Sequence, residues 1–269
     1  MRKDISKKSF TKRLLFAVIV CTIMLISGCG KKAVVSTVNS LDDLKGKKVG
    51  VQLKTTGDLY ASDIENVEVV RFNRGIDAVT ALQKGVVDAV IIDDAPANVF
   101  IGEVSGVKIL DDPFADEEYG IAVNKNNSEL LAGINEALTK LQNDGTLDKI
   151  KDAWIMGEVE DTAYESQTQN SYANGVMKMI TNAEFPPYES MTEDDRIVGI
   201  DVDIMKAICD ELDMKLEVQN TSFDSVIVSV QRGVSSVGVS GITITEDRLE
   251  HVNFSEPYTK AKQVVIVRE

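Results

Sequence analysis

Val230-Gln231-Arg232-Gly233-Val234-Ser235-Ser236-Val237-Gly238-Val239 reads as the end of a helix, a glycine stop and a buried strand, and Leu82-Gln83-Lys84-Gly85-Val86-Val87-Asp88-Ala89-Val90-Ile91 repeats the pattern. A glycine just past a helix takes the left-handed turn that ends it, and the apolar run behind it suits a strand covered on both faces. Around each copy, strands alternate with helices of about ten residues, which indicates right-handed βαβ units and mainly parallel sheets. Strands are expected over 48–52, 67–70, 88–92 and 107–110, and again over 176–181, 215–218, 236–239 and 263–267. Helices are expected over 75–84, 95–101, 201–212 and 222–231. A strand over 119–123 and two helices, over 130–141 and 146–154, stand between the two sets. The expected fold class is α/β with two lobes, each a sheet flanked by helices, and a ligand cleft at the carboxyl ends of their strands.

The second copy runs directly into Ser240-Gly241-Ile242-Thr243-Ile244-Thr245-Glu246-Asp247-Arg248. Gly241 interrupts the β-formers where a backbone can approach a ligand, and Thr243 and Thr245 share one face. Arg248 then sits at the start of a helical turn. Its two parallel N–H groups match a carboxylate in bidentate fashion, and neighbouring hydroxyls and backbone N–H groups take the remaining lone pairs. This points to a carboxylate receptor; a solvated arginine on an exposed turn is the alternative reading.

Residues 1–13 hold six basic side chains and one acid, and an apolar run from Leu14 to Gly28 follows. Fifteen residues suit the core of a signal peptide and are short for a membrane span. An uncleaved anchor helix is the alternative. Either way the remainder lies outside the cytoplasm. The signal carries a net +5, so the formal charge of −14 becomes −19 without it. Such an acidic body disfavours nucleic acid and anionic lipid as partners. Of Cys21, Cys29 and Cys209, only the last lies in the body, within an apolar helical pattern, so no intrachain disulfide framework is available.

Taken together, several stretches resemble the extracytoplasmic solute-binding lipoproteins of polar amino-acid ABC importers. They are Leu25-Ile26-Ser27-Gly28-Cys29, similar to a lipobox, then Leu41 to Gly46, Val51 to Gly57, Asp88 to Asp93 and Tyr119 to Val123 in the first half. Thr181 to Glu189, Gly199 to Asp203, Phe223-Asp224, Ser240 to Arg248 and Asn253 to Tyr258 follow. The resemblance implies a periplasmic-binding-protein-like fold of type II and lipidation at Cys29. It also implies an exchanged order, because the half resembling 176–269 comes first in the family. The chain then reads as a circular permutant: 1–28 signal, 29–40 lipid-anchored tether, 41–118 lobe 2, 119–156 return strand and helices packing on lobe 1, 157–175 an exposed linker, and 176–269 lobe 1. A fragment of a tandem array, or a truncated or misassembled gene, is the alternative.

By the same resemblance, Arg248 holds the carboxylate of a free amino acid, assisted by Thr243 and the backbone at Gly241. Asp93 takes the ammonium group, Thr56 with Gln52 closes from the other lobe, and Phe185 and Phe223 sandwich the side chain beside Asn182. Asn182 stands where members selective for cationic side chains carry an acid, leaving Glu184 to supply any counter-charge. Lys54 replaces a usual glycine at the rim, where its cation could hinder closure or favour an acidic ligand, and Ser236 replaces a common aspartate. Tyr188 is expected to be structural. Asp201 and Asp203 are read as helix-start acids that need bind no metal. The expected partners are an amino acid, a membrane permease and, through the lipid, the membrane; the protein is expected to be a monomer with no cofactor, metal or nucleic acid. The rival readings are a periplasmic cyclohexadienyl or arogenate dehydratase-like enzyme and a ligand-sensing module. His251 follows the Arg248 turn without a partner motif for catalysis.

Overall fold

The computed structural model describes residues 38–157, 159–166 and 171–269. The expected signal, Cys29 and residues 30–37 of the tether lie outside the described residues. After a short turn at Leu41–Leu44 come β1 (Lys48–Gln52), α1 (Thr56–Asp63), β2 (Glu68–Phe72), α2 (Gly75–Gln83), β3 (Ala89–Asp93), α3 (Asp94–Glu103), β4 (Val107–Ile109) and β5 (Ala115–Tyr119). β6 (Ala122–Val123), α4 (Ser128–Asn143) and α5 (Thr146–Ile155) follow. The remainder contains β7 (Val176–Thr181), β8 (Glu184–Phe185), β9 (Glu189–Met191), β10 (Ile197–Val198), α6 (Ile200–Glu211), β11 (Lys215–Asn220), α7 (Phe223–Gln231), β12 (Val237–Gly238), α8 (Glu246–Leu249), β13 (Asn253–Phe254) and β14 (Thr259–Arg268).

Two sheets carry the architecture, ordered β2-β1-β3-β14-β4 and β11-β7-β12-β6-β13. In each, the first three strands are parallel and the fourth is antiparallel to its neighbours. β3 is buried at all five positions, as a strand covered on both faces must be. This is the two-lobed type II α/β fold that the resemblance implies. The helix expected over 130–141 forms as α4, with Ile134, Leu138 and Leu141 of its apolar pattern buried beside Ala137, and Leu130 and Leu131 partly buried.

Three details differ from the expected layout. The last strand, counted with 176–269, runs the length of Thr259–Arg268 and inserts between β3 and β4 in the sheet of lobe 2, because its Val264–Val267 stretch is buried on both faces. The strand expected over 119–123 is divided: β5 pairs with β14, while β6 joins the other sheet. Gly120 and Ile121 make the crossing, their N–H groups donating to the Ile242 carbonyl at 3.0 Å and to Ser255 Oγ at 2.9 Å. A small antiparallel sheet, β10-β9-β8, was not expected, since strands of two or three residues leave no period to read.

The segment read as an exposed linker is largely exposed where it is described, and it is tied to acids on α6 and just beyond its end. Asp203, fully buried, accepts from Trp154 Nε1 at 2.8 Å, Thr162 Oγ1 at 2.8 Å, the Ala163 N–H at 2.6 Å and Lys206 Nζ at 2.8 Å. Tyr164 donates to Asp210 at 2.8 Å, and the Ser171 and Tyr172 N–H groups donate to Asp213 Oδ1, both at 2.9 Å. Polar anchoring of this kind leaves no apolar period in the sequence. Asp203 is therefore more than a dipole partner. Asp203→Ala should strip a buried carboxylate from four donors and destabilise the protein by about 3 kcal/mol. Urea unfolding followed by the fluorescence of Trp154, the sole tryptophan, measures this; an unchanged midpoint and an unchanged emission would contradict it.

Candidate functional site

Between the lobes lies a narrow cavity of about 10 Å³, room for about one water molecule. Lobe 2 lines it with Gln52 at the end of β1, Thr55 and Thr56 at the start of α1, and Asp93 at the end of β3. Lobe 1 contributes Asn182, Phe185, Phe223, Gly241, Thr243 and Arg248. All nine residues named from the sequence thus face one space, joined by Thr55. Thr55 caps α1, its hydroxyl accepting the Asp58 N–H at 3.3 Å.

Arg248 spans the gap between the lobes. Nη1 donates to the Thr243 carbonyl at 2.7 Å, Nη2 donates to the Lys54 carbonyl at 3.2 Å, and the guanidinium lies 5.5 Å from the centre of the Phe223 ring. Burial pushes its pKa down, against Glu117 and Asp93, whose charges hold it up. Lys54 has a left-handed backbone, φ 66°, which accounts for the glycine expected there. The residue is exposed and is not among those lining the cavity.

Asp93 is 4% exposed and accepts a hydrogen bond from the Tyr119 hydroxyl. Its side chain makes no helix-cap bond; Asp94 instead accepts the Ala95 N–H at 2.9 Å. Burial first, and then the neighbouring Glu117 charge, raise the Asp93 pKa to about 8. Phe185 is buried and stacks on Tyr188 with centroids 5.8 Å apart, and Tyr188 meets Tyr119 edge-on. Gly241 has φ 52°, and a Cβ there would lie 2.7 Å from the Phe185 ring, so no larger residue fits.

Two groups of residues behind the cavity escaped the sequence reading. On the hinge strands, Glu117 of β5, 5% exposed, accepts from Thr243 Oγ1 at 2.9 Å and from Gln263 Nε2 at 3.0 Å. Gln263 Nε2 also donates to Thr56 Oγ1 at 3.2 Å. The Thr243 hydroxyl thus donates its hydrogen to Glu117 in this structure. Behind Gly241, Asp201 accepts the Gly241 N–H and the Tyr258 hydroxyl, both at 2.8 Å, while Ser240 donates to Glu189 at 2.9 Å and accepts the Asn182 N–H at 3.0 Å. Both acids are fully buried. Burial raises Asp201 to about 6, and burial with the adjacent Asp201 carboxyl pushes Glu189 well above the usual range. Asp201 is thus a strut for the Gly241 turn. Only an acid lying alternately inside a strand or helix could have hinted at these roles, and Glu117 sits in the run Asp116-Glu117-Glu118, which reads as solvated.

At the far end, Glu184 is paired with Arg74 across the lobes at 2.8 Å, so its charge is already compensated. Among the described residues no group of His, Cys, Asp and Glu is arranged to hold a metal ion. Because Asp93 keeps a proton in the folded protein that the unfolded chain loses near pH 4, its contribution to stability is complete below that pH and is lost as pH rises towards 8. The melting temperature should therefore fall more between pH 4 and 8 in the wild type than in Asp93→Asn; parallel profiles would refute the assignment.

The sequence comparisons bear on one half in particular. A probable histidine-binding protein of Neisseria gonorrhoeae is 37% identical over 92 residues, covering 34% of each chain. The L-cystine-binding protein TcyJ of Escherichia coli (strain K12) is 31% identical over 140 residues, 51% of this chain and 53% of its own. The chain thus spans between a third and about half of the length of these curated relatives. Among solved structures, an ancestral arginine-binding protein bound to arginine is 40% identical, with a TM-score of 0.31, covering 32% of this chain and 38% of that one. Residues 177–269, which carry Asn182, Phe185, Phe223, Gly241, Thr243 and Arg248, match the bacterial extracellular solute-binding proteins, family 3.

Proposed function

We propose that this protein is the extracytoplasmic substrate-binding component of an ABC importer, which holds a polar amino acid between its lobes and delivers it to a membrane permease. The observation that carries this reading is the meeting of residues 130 or more positions apart in one enclosed cavity, as Gln52 and Asn182 do at 2.9 Å. A free amino acid presents an anion, a cation and a side chain. Arg248 supplies a buried cation, Asp93 a buried acid that the ammonium group of a ligand would hold ionised, and Phe185 with Phe223 an aromatic wall. Bridging contacts to both lobes favour the closed form over an open one, and the closed form is what a permease reads. The relatives named for histidine, cystine and arginine are consistent with this class of ligand.

The finer parts of the proposal follow the sequence. Residues 1–28 are a lipoprotein signal, Cys29 is lipidated, and the body is tethered to the outer face of the cytoplasmic membrane as a monomer. The halves are circularly permuted, with 41–118 as lobe 2, 119–156 returning to lobe 1, and 157–175 joining the former termini. In support, Val38 and Leu44 share an apolar cluster with Val265 and Val267, residues on the two sides of the proposed cut. Substrate binding, with no chemistry performed on the ligand, is the reading the site favours.

A thermal-shift screen of the twenty amino acids against the purified protein should find a stabiliser. Arg248→Ala should then weaken binding of that amino acid by about 3–5 kcal/mol, measured calorimetrically. Near-normal affinity in the mutant would overturn the site, and no stabiliser among the twenty would overturn the ligand class.

A further inference from the structure

β5 turns alternate residues to opposite sides, so that Asp116 and Glu118 are exposed while Glu117 and Tyr119 are buried on one face. That face meets Asp93 at the end of β3. The Tyr119 hydroxyl donates to Asp93 Oδ1, and the carboxyls of Glu117 and Asp93 lie within hydrogen-bonding reach of each other. Two carboxyls can bond to one another only if one of them keeps a proton. Thr243 Oγ1 and Gln263 Nε2 both donate to Glu117 Oε2, so Glu117 is the acceptor of the pair. Its Oε1 is buried and has no standing donor among the described residues, and a proton on Asp93 would supply one.

The surroundings leave the pair in this condition. Arg248 is a single cation set against two acids, and its Nη1 and Nη2 donate to the Thr243 and Lys54 carbonyls. Tyr60 faces the acids from α1, Tyr188 from the turn between β8 and β9, and the neutral Gln263 from β14. Asp94, next in the chain, accepts the Ala95 N–H. Asp93 lines the cavity, whereas Glu117 does not. We propose that Glu117 is a positioning residue that keeps a proton on Asp93, and that the ammonium group of an incoming amino acid displaces this proton to solvent. This rests on the amino-acid-binding reading of the cavity and adds a regulation to it, since each ligand bound releases one proton. Without a ligand, burial and the Glu117 charge hold the Asp93 pKa at about 8; an ammonium group in contact lowers it again. Below pH 8 the proton therefore competes with the ligand, and affinity climbs as pH rises.

Titration calorimetry tests this with L-glutamine, L-arginine and whichever of the remaining amino acids stabilises the protein most, the tightest of them deciding. Affinity should rise about five- to tenfold from pH 6 to pH 7, and the heats in phosphate and in bis-Tris should differ by the release of about one proton per ligand. Glu117→Gln keeps the acceptor for Thr243 and Gln263 and turns an amide N–H towards Asp93, so both the pH slope and the proton release should fall towards zero. A purely structural role for Glu117 would instead lower affinity by one factor at both pH values and leave the slope, which overturns the inference. Should that variant fail to fold, Glu117→Asp draws the carboxyl back by one methylene and should release fewer protons than the wild type; unchanged release overturns the inference. Equal heats in the two buffers with a flat affinity in the wild type overturn it too, but leave the amino-acid site standing. Failure of all twenty amino acids to stabilise the protein overturns the amino-acid reading itself.

Discussion

The structure depends on an exchange of strands between its lobes. β14 leaves lobe 1 and fills the place between β3 and β4, and β6 comes from the other direction to fill the place between β12 and β13. Without them, each sheet would present two bare edges whose backbone donors and acceptors have no partner. Neither lobe completes its sheet from its own half of the sequence. The pairing of β5 with β14, from Tyr119 opposite Thr259 to Ala115 opposite Gln263, then fastens the two crossings to each other. The hinge is therefore a two-stranded ribbon whose inward side chains, Glu117 and Gln263, reach the cavity threonines of both lobes, Thr243 and Thr56.

That ribbon explains why charge is concentrated behind the cavity. Asp93, Glu117, Glu189 and Asp201 are all buried, and each is held by hydroxyls, amides or backbone N–H groups. Arg248 is the cation that faces the first two. Buried carboxylates are costly, and hydrogen bonds from fixed neighbours offset that cost while locking the geometry of the Ser240-Gly241 turn. Stability and binding geometry are set by the same groups.

Much of this was legible in the chain before any coordinates. The helix, glycine and strand at 82–91 and 230–239 announced two similar lobes, because buried parallel strands must be apolar at every position. The cavity residues were legible through their resemblance to a known family, Arg248 through the local chemistry as well. What the sequence hid were contacts without a period. Glu117 looked like one of three solvated acids, and only the twist of β5 onto β14 turns it inward. The linker beyond Gly157 looked loose because its anchors, Asp203, Asp210 and Asp213, lie on a different element and hold it by polar bonds. The destination of β14 was likewise hidden, since a strand buried on both faces can enter either sheet.

The hinge hydroxyls give the cavity a sense of direction. Thr56 Oγ1 receives a hydrogen bond from Gln263 and so keeps its own hydrogen to give, whereas Thr243 Oγ1 has given its hydrogen to Glu117 and offers lone pairs alone. Two side chains of the same type, one on each lobe, thus line one cavity with reversed polarity. A bound molecule that is itself polarised from end to end meets a donor on one wall and an acceptor on the other. Turned around, the same molecule would meet both of them wrongly. A single glutamine and a single glutamate, neither of them lining the cavity, set this polarity.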